Sequence, residues 1–241
     1  MITYSKLGKM GRLGNQLFQI ASTIGIAKKN GDDFAFPEWE YSGFFKNKIP
    51  TTQIFPNNIY TERGFHYNQI TGKNIDLVGY FQSSKYFNEF EEIIREYFSF
   101  NEDLLISDDL SNFCSIHVRR TDYLNLPDYH PFPGIDYYSS SIDYMRNLGI
   151  SNFIVFSDDI EWCKKNLSHE FVYSENNLNI RDLALMTKCK NHIIANSSFS
   201  WWGAWLNKKP DKTVIAPKKW FGPAKKGVIL DDLYCENWLK L

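Results

Sequence analysis

The sequence predicts an α/β protein built on mainly parallel sheets, and three observations lead there. From residue 113 onward, short apolar runs rich in Val, Ile and Phe alternate with helical segments, the signature of strand–helix–strand units with helices on both faces. The chain opens with an apolar strand, Ile2 to Leu7, then a loop carrying Gly8, Gly11 and Gly14, then a helix from Asn15 to Lys29. Three polar clusters stand directly after predicted strands, at the carboxyl edge where an open parallel sheet gathers its ligands.

The elements follow in order. Leu17, Ile20, Ala21 and Ile24 share one face of the first helix, and Gly31 is placed to end it. Periodicity is weak from Phe34 to Thr71, where Pro, Asn and Gly recur, so that stretch reads as irregular. A strand over Asp76 to Phe81 and a helix over Ser83 to Tyr97 follow. The acidic, polar stretch from Asn101 to Asp109 reads as a linker, which divides the chain into residues 1–105 and 106–241. Beyond it come a strand Phe113 to Val118, a helix Asp136 to Asn147, a strand Phe153 to Phe156 and a short helix Ile160 to Asn166. The alternation continues with a strand Phe171 to Tyr173, a helix Arg181 to Lys188, a strand His192 to Ala195, a helix Phe199 to Leu206 and a strand Thr213 to Ala216.

Composition narrows the function classes. With 43% hydrophobic and 23% charged residues and a net charge of -1, the 241-residue chain is an ordinary globular sequence. Its 27 basic residues are offset by 28 acidic ones, which argues against a nucleic-acid partner. The four cysteines, Cys114, Cys163, Cys189 and Cys235, have neither CxxC nor zinc spacing and read as reduced thiols, with Cys114 and Cys189 in the core. Residues 1–6 lack the features of a signal peptide, and no apolar run approaches the roughly 20 residues of a membrane helix. The expected location is cytoplasmic. Aromatic residues make up 17% of the chain, a richness shared by carbohydrate-handling proteins and by large aromatic cores.

The polar clusters carry the chemistry. At a strand end successive side chains diverge, so Arg119 and Arg120 face opposite ways and Arg119 shares a side with His117. A guanidinium fork matches a diphosphate and keeps its charge while the leaving phosphate gains negative charge. The alternative is a structural network with Asp122 and other acids. The loop from Gly8 to Gln16 brings a helix N-terminus and backbone N–H groups together and suits either a phosphate or a plain tight turn. Asp158 or Asp159 could accept from the paired donors of a guanine edge, or could cap the following helix. Ser197 and Ser198 open a helix whose N-terminus could hold phosphate oxygens. Trp201, Trp202 and Trp205 are assigned to the core rather than to a ligand. No Asp-x-Asp run for a diphosphate-bound metal is present, nor a GxxxxGK[ST], HExxH or GxSxG motif.

Five segments then carry a resemblance. Gly11-Arg12-Leu13-Gly14-Asn15-Gln16-Leu17-Phe18-Gln19, Gly79-Tyr80-Phe81-Gln82-Ser83, His117-Val118-Arg119-Arg120-Thr121-Asp122-Tyr123, Phe156-Ser157-Asp158-Asp159 and Ala195 to Ala204 resemble, in order, the motifs of glycosyltransferase family 11, the alpha-1,2-fucosyltransferases. The resemblance implies a GT-B-like fold, two Rossmann-like lobes with mainly parallel sheets facing a central cleft. Residues 1–105 would form the acceptor-side lobe with the glycine loop, and 106–241 the nucleotide-sugar lobe. It implies GDP-β-L-fucose as donor, a galactose-ended acceptor, inversion at the anomeric carbon and no metal or other cofactor. The arginine motif and the Gly-Arg-x-Gly-Asn loop are also similar to those of protein O-fucosyltransferases.

By that analogy Arg12, Leu13, Gly14 and Asn15 approach the fucose and diphosphate, His117 and Arg119 bind GDP, Asp158 reads guanine, and Ser198 with Phe199 completes the phosphate site; Ser197 joins the donor-binding set from its place at the helix start. Arg119 is expected to stabilise the leaving group. Asp122 is either a general base or the residue that orients the arginines. The animal members carry an N-terminal membrane anchor that this sequence lacks, so the expectation is a cytoplasmic enzyme of surface-polysaccharide synthesis, with room for a peripheral contact at the inner face of the membrane. Oligomeric state is left open. Two readings from other classes remain: a nicotinamide-dependent oxidoreductase built on the glycine loop, with Asp33 near the ribose position, and a non-catalytic glycan-binding module.

Overall fold

The structure, a computed structural model, describes residues 1–105 and 109–241, and the chain divides into two compact units. The first comprises Met1–Glu102 with Val228–Cys235, the second Asp103–Gly227 with Glu236–Leu241. The return of Val228–Cys235 to the first unit corrects the expected assignment of all residues after 105 to a single C-terminal lobe. Asp232 explains it, since its carboxylate pairs with Lys85 and accepts a 2.8 Å hydrogen bond from the Tyr67 N–H. Residues 106–108 of the predicted linker lie outside the described residues, and Glu102–Leu105 of the same stretch is a short helix.

In the first unit, β1 (Ile2–Thr3) leads through the glycine loop into α1 (Leu13–Lys29) and β2 (Phe34–Ala35), followed by β3 (Ile59–Thr61), β4 (Ile75–Val78) and α2 (Glu91–Tyr97). The strands are all parallel in the order β2-β1-β4-β3. Helix α1 is buried over nearly its whole length, from Leu13 to Ala27, so it serves as a core element rather than a surface helix. Gly25 permits this close packing, because a Cβ there would lie 2.1 Å from the Tyr86 carbonyl oxygen. The helix expected over Ser83 to Tyr97 is broken. Tight turns occupy Ser84–Tyr86 and Asn88–Phe90, and only Glu91–Tyr97 is α-helical. Tyr86 and Phe87 are 2% and 0% exposed, and burying the Phe87 ring against Phe18 of α1 and the Tyr86 ring against Phe81 overrides the local helical pattern.

The second unit has the more regular sheet. After α3 (Glu102–Leu105), β5 (Phe113–Val118) is followed by α4 (Ile135–Asn147), β6 (Asn152–Ser157), α5 (Ile160–Asn166), β7 (Val172–Tyr173), α6 (Asn179–Lys188), β8 (Asn191–Ile193), α7 (Ser198–Leu206), β9 (Val214–Ala216) and β10 (Leu239–Lys240). Every pairing is parallel, in the order β10-β9-β8-β5-β6-β7. Strands β2, β3 and β10, of two or three residues, lie in stretches where no strand is predicted.

The sheet's two faces are buried separately. Cys114, Ile116, Val118, Phe153 and Val155 pack with Tyr138, Ile142 and Met145 of α4, while Ile154 and Phe156 pack with Leu185 and Met186 of α6. This is the doubly covered arrangement that all-parallel sheets require. Trp201, Trp202 and Trp205 are at most 6% exposed and cluster with one another and with Trp238, a core role.

Candidate functional site

Strand order locates the site in the second unit. From β5 the chain builds outward through β6 and β7, then returns to the other side of β5 and continues through β8, β9 and β10. The order 3-2-1-4-5-6, counted along the unit, is that of a dinucleotide-binding fold. Its ligand crevice lies where the winding reverses, at the carboxyl ends of the first and fourth strands. Here those ends are His117 and Val118, the last residues of β5, with Arg119 to Tyr123 after them, and Asn196 to Phe199 after β8.

His117 ends this edge of β5. It is 5% exposed, its ring lies 5.3 Å from that of Phe199, and its Nδ1 has no hydrogen-bond partner. Burial pushes the imidazole pKa down to about 3, against the pull of Asp158 and with the push of Arg119, so the ring is neutral near pH 7. Its carbonyl accepts a 3.1 Å bond from the Tyr138 hydroxyl, which fixes the strand end. Ser197 caps α7: its hydroxyl accepts from the Phe199 N–H at 3.4 Å. Ser198 and Phe199 form the first turn of that nine-residue helix, whose positive dipole end points into the crevice region beside His117.

The two arginines diverge. Arg120 pairs with Asp159 at 2.5 Å and lies 4.9 Å from the Trp162 ring, which ties it to α5. Arg119 contacts Asp122 at 2.8 Å and Asp158 at 3.2 Å and is 5.8 Å from the Tyr123 ring. Burial opposes its charge, but the bond to Asp122 and the charge of Asp158 outweigh burial and raise its pKa, so it stays cationic. With five donors, a guanidinium that binds two carboxylates still has N–H groups for a further anion.

Asp158 and Asp159 have different partners. Asp159 caps α5 through the Trp162 N–H at 3.3 Å. Asp158 accepts from the N–H groups of Arg120 at 2.9 Å and Thr121 at 3.2 Å, and from the Thr121 hydroxyl. Its carboxylate thus holds the arginine loop, a partner set that is additional to the guanine role given by the analogy.

Two residues were given no individual role by sequence reasoning. Tyr123 donates from its hydroxyl to the Asn196 carbonyl at 2.8 Å and stacks 5.1 Å from His130. Asn196, 1% exposed, donates to the carbonyls of Pro131 and Trp220, both at 2.9 Å. Together they hold the loops after β5, β8 and β9 to one another. Only the position of Asn196 after a strand hinted at this role.

In the first unit, Gly8 and Gly11 take φ of +79° and +78°, which favours glycine, and the loop closes onto α1. Buried Gln16 and Gln19 donate to the carbonyls of Gly11 at 3.1 Å and Met10 at 3.0 Å. Arg12 takes the cap position of α1, Leu13 and Gly14 are buried at its start, and Asn15 accepts from Gln82 at 2.7 Å. At the carboxyl end of β3, Glu62 accepts from the N–H groups of Tyr80 at 2.6 Å and Phe81 at 2.8 Å. Burial raises its pKa to about 7. Among the described residues, no group of three or more His, Cys, Asp or Glu forms a metal cluster, and no helix is long and apolar enough to cross a membrane.

The O-antigen biosynthesis glycosyltransferase WbnK of Escherichia coli is 38% identical over 185 residues, 68% of this chain and 60% of that protein. An alpha-1,2-colitosyltransferase of Escherichia coli is 36% identical, covering 73% and 66%, and the galactoside 2-alpha-L-fucosyltransferase SEC1 of Bos taurus is 27% identical, covering 81% and 62%. The chain thus spans 60 to 66% of the length of these relatives. Among solved structures, POFUT1 in its apo form matches with a TM-score of 0.58 at 12% identity, covering 89% of this chain and 97% of that one. The fucosyltransferase NodZ from Bradyrhizobium matches with a TM-score of 0.55 at 12% identity, covering 84% and 91%. The fold is the α/β, GT-B-like one, with two parallel sheets. The model of Glycosyl transferase family 11 matches residues 6–241, and the chain belongs to that family.

Proposed function

We propose that the chain transfers L-fucose from GDP-β-L-fucose to the 2-hydroxyl of a terminal galactose, with inversion and without a metal ion, in surface-polysaccharide or O-antigen synthesis. The observation that carries the reading is the meeting of an anion site with the Rossmann switch point: Arg119, neutral His117 and the start of α7 lie at the β5 and β8 ends. The names of the relatives in Escherichia coli and Bos taurus support the donor class, the linkage and the galactoside acceptor.

In this mechanism the acceptor oxygen attacks the face opposite GDP while the glycosidic bond breaks through an oxocarbenium-like state. Arg119 neutralises the charge that gathers on the departing diphosphate, a contribution of a few kcal/mol to the transition state. It takes the place of the divalent ion that Asp-x-Asp transferases use. His117, buried and neutral, offers a hydrogen bond without adding charge. The Arg119–Asp122 ion pair supports Asp122 as the residue that orients Arg119, and bond breaking ahead of attack leaves no strong general base necessary. Asp158 holds the arginine loop, and its remaining acceptor capacity is the part proposed to read guanine. For Arg12, Leu13, Gly14 and Asn15 of the first unit, the proposed role toward the sugar rests on the family resemblance.

The test is release of GDP from GDP-fucose in the presence of lactose, with the product linkage read by NMR. Stabilisation by GDP but not NADH separates the reading from a nicotinamide enzyme, and turnover separates it from a glycan-binding module. A colitosyl donor is the second reading, favoured by the 36% identical relative, and competition between the two GDP-sugars decides it. Binding of NADH without response to GDP would overturn both.

A further inference from the structure

In the first unit's sheet β4 lies between β1 and β3, and the segment that follows it, residues 79–82, is held from both sides at the carboxyl edge. It belongs to one of the five segments that carry the family resemblance, and nothing in the donor chemistry uses it. On one side Tyr4, which follows β1, donates its hydroxyl to the Gly79 carbonyl at 2.5 Å. On the other Glu62, which follows β3, accepts from the Tyr80 N–H at 2.6 Å and the Phe81 N–H at 2.8 Å. A 2.8 Å bond from the Glu62 N–H to the Val78 carbonyl fixes the acid beside the end of β4.

The segment is shaped to this carboxylate. Gly79 takes φ of +155°, and a Cβ there would lie 2.3 Å from the Glu62 Cβ and 2.7 Å from its Oε2, so glycine lets the acid approach. Phe81, with φ of +50°, holds a left-handed conformation that a bulky residue adopts only where its surroundings impose it. Its carbonyl accepts from the Ser22 hydroxyl of α1 at 3.0 Å, and its buried ring lies beside those of Tyr4 and Tyr86. Two successive backbone N–H groups aimed at one anion form a nest, and Glu62 fills it with a charge from the chain itself.

The effect reaches the glycine loop through Gln82. This residue, 6% exposed, donates to the Asn15 Oδ1 at 2.7 Å. Asn15 in turn lies close over Gly11, where a Cβ would come within 2.6 Å of its Nδ2. An unbroken run of contacts thus leads from Glu62 through the backbone of residues 80–82 to the side-chain amide of Asn15.

We propose that Glu62 is a positioning residue for the sugar transfer: its carboxylate sets residues 79–82 so that Gln82 fixes the Asn15 amide in the orientation that meets the donor sugar. The inference rests on the role toward the sugar proposed for Asn15. Burial lifts the Glu62 pKa to about 7, so the carboxylate predominates at pH 8. Tyr4 and Tyr86, the hydroxyls that sense its charge, are raised chiefly by burial with a further push from Glu62, and stay protonated there.

The test is made at pH 8 on the full chain, with Glu62→Gln and Gln82→Ala. Glutamine keeps the shape but offers one acceptor oxygen, and its NH2 group meets an N–H that needs an acceptor. Each variant should lower kcat/KM for GDP-fucose about tenfold or more, as displacement of a positioned group does. Neither should add to Asn15→Ala, because steps in one chain of contacts do not sum, whereas unrelated structural damage would multiply the losses. Independently of turnover, the Asn15 side-chain amide resonance should shift in Glu62→Gln as it does in Gln82→Ala. Folded Glu62→Gln protein with kcat/KM within about twofold of wild type overturns the inference, and so do double variants whose losses multiply. If Glu62→Gln fails to fold, Gln82→Ala decides by the same criteria. Absence of GDP-fucose turnover in the wild type would count against the fucose reading, and the resonance then decides the positioning chain: a shift in Glu62→Gln supports it and an unmoved signal overturns it.

Discussion

Replacing Arg119 with lysine puts the donor site to its sharpest test. The guanidinium bridges Asp122 at 2.8 Å and Asp158 at 3.2 Å through different nitrogens and keeps further N–H groups for an incoming diphosphate. Lysine brings the same charge on a single nitrogen. It can satisfy one carboxylate or the diphosphate, but not both carboxylates and the ligand. The expected loss is that of one preorganised donor to a developing oxyanion, about 10² to 10³ in kcat, or roughly 2.7–4 kcal/mol. Because the interaction strengthens as the bond breaks, kcat and kcat/KM should fall together, with the acceptor KM little changed. The assay is GDP release against GDP-fucose concentration, with GDP affinity from calorimetry. Asp122→Asn is the companion variant: an orienting role predicts a smaller loss and an unchanged pH profile, whereas a base would remove the acidic limb. An Arg119→Lys enzyme within about fivefold of wild type would refute the reasoning, because no single-point charge reproduces a preorganised fork.

Other outcomes follow from the same geometry. Asn196→Ala leaves the carbonyls of Pro131 and Trp220 without their buried donor, and urea denaturation should report a loss of about 2–6 kcal/mol at roughly 1–3 kcal/mol per unsatisfied group. A loss under about 0.5 kcal/mol would mean that the loops hold together without it. Gly25→Ala should be severely destabilising, since its Cβ would meet the Tyr86 carbonyl at 2.1 Å, and a melting temperature equal to wild type would contradict the packing of α1. His117 and His192, both driven down to about 3 by burial, should show no NMR titration between pH 8 and 5. The folded state then stays neutral where the unfolded chain takes up protons below about pH 6.5. Each histidine therefore contributes stability that is present above that pH and is lost on acidification toward 3. Glu62, raised to about 7, acts oppositely: its protonated form is favoured on folding, so its contribution weakens as pH rises from about 4.5 through 7. Glu62→Gln should steepen the acid-side decline, and an unchanged pH–stability curve would rule this out.

Local periodicity made much of the second unit legible. Strand Phe113–Val118 and helix Ile160–Asn166 agree residue for residue with the sequence reading, and the remaining predicted strands and helices from residue 135 to 216 shift by at most two residues at either end. Apolar runs between turn residues fix such elements through near neighbours alone. The first unit was less legible, because β2 and β3 are held by pairing to distant strands and Tyr86 and Phe87 break a helical pattern to reach the core.

What the sequence by itself determined is the set of chemical groups: Arg119 two residues after His117, an aspartate pair after one strand and a serine-capped helix after another. Tertiary structure alone decided how they are used. Strand order set β5 beside β8, whose partners Cys114 and Asn191 are far apart in the chain, and so turned two polar strand ends into one crevice. It also committed Asp158 to the arginine loop, tied Tyr123 to Asn196, and returned residues 228–235 to the first unit. Side-chain type and spacing are local properties, whereas parallel pairing is fixed by hydrogen bonds and burial between segments that meet only once the whole chain has folded.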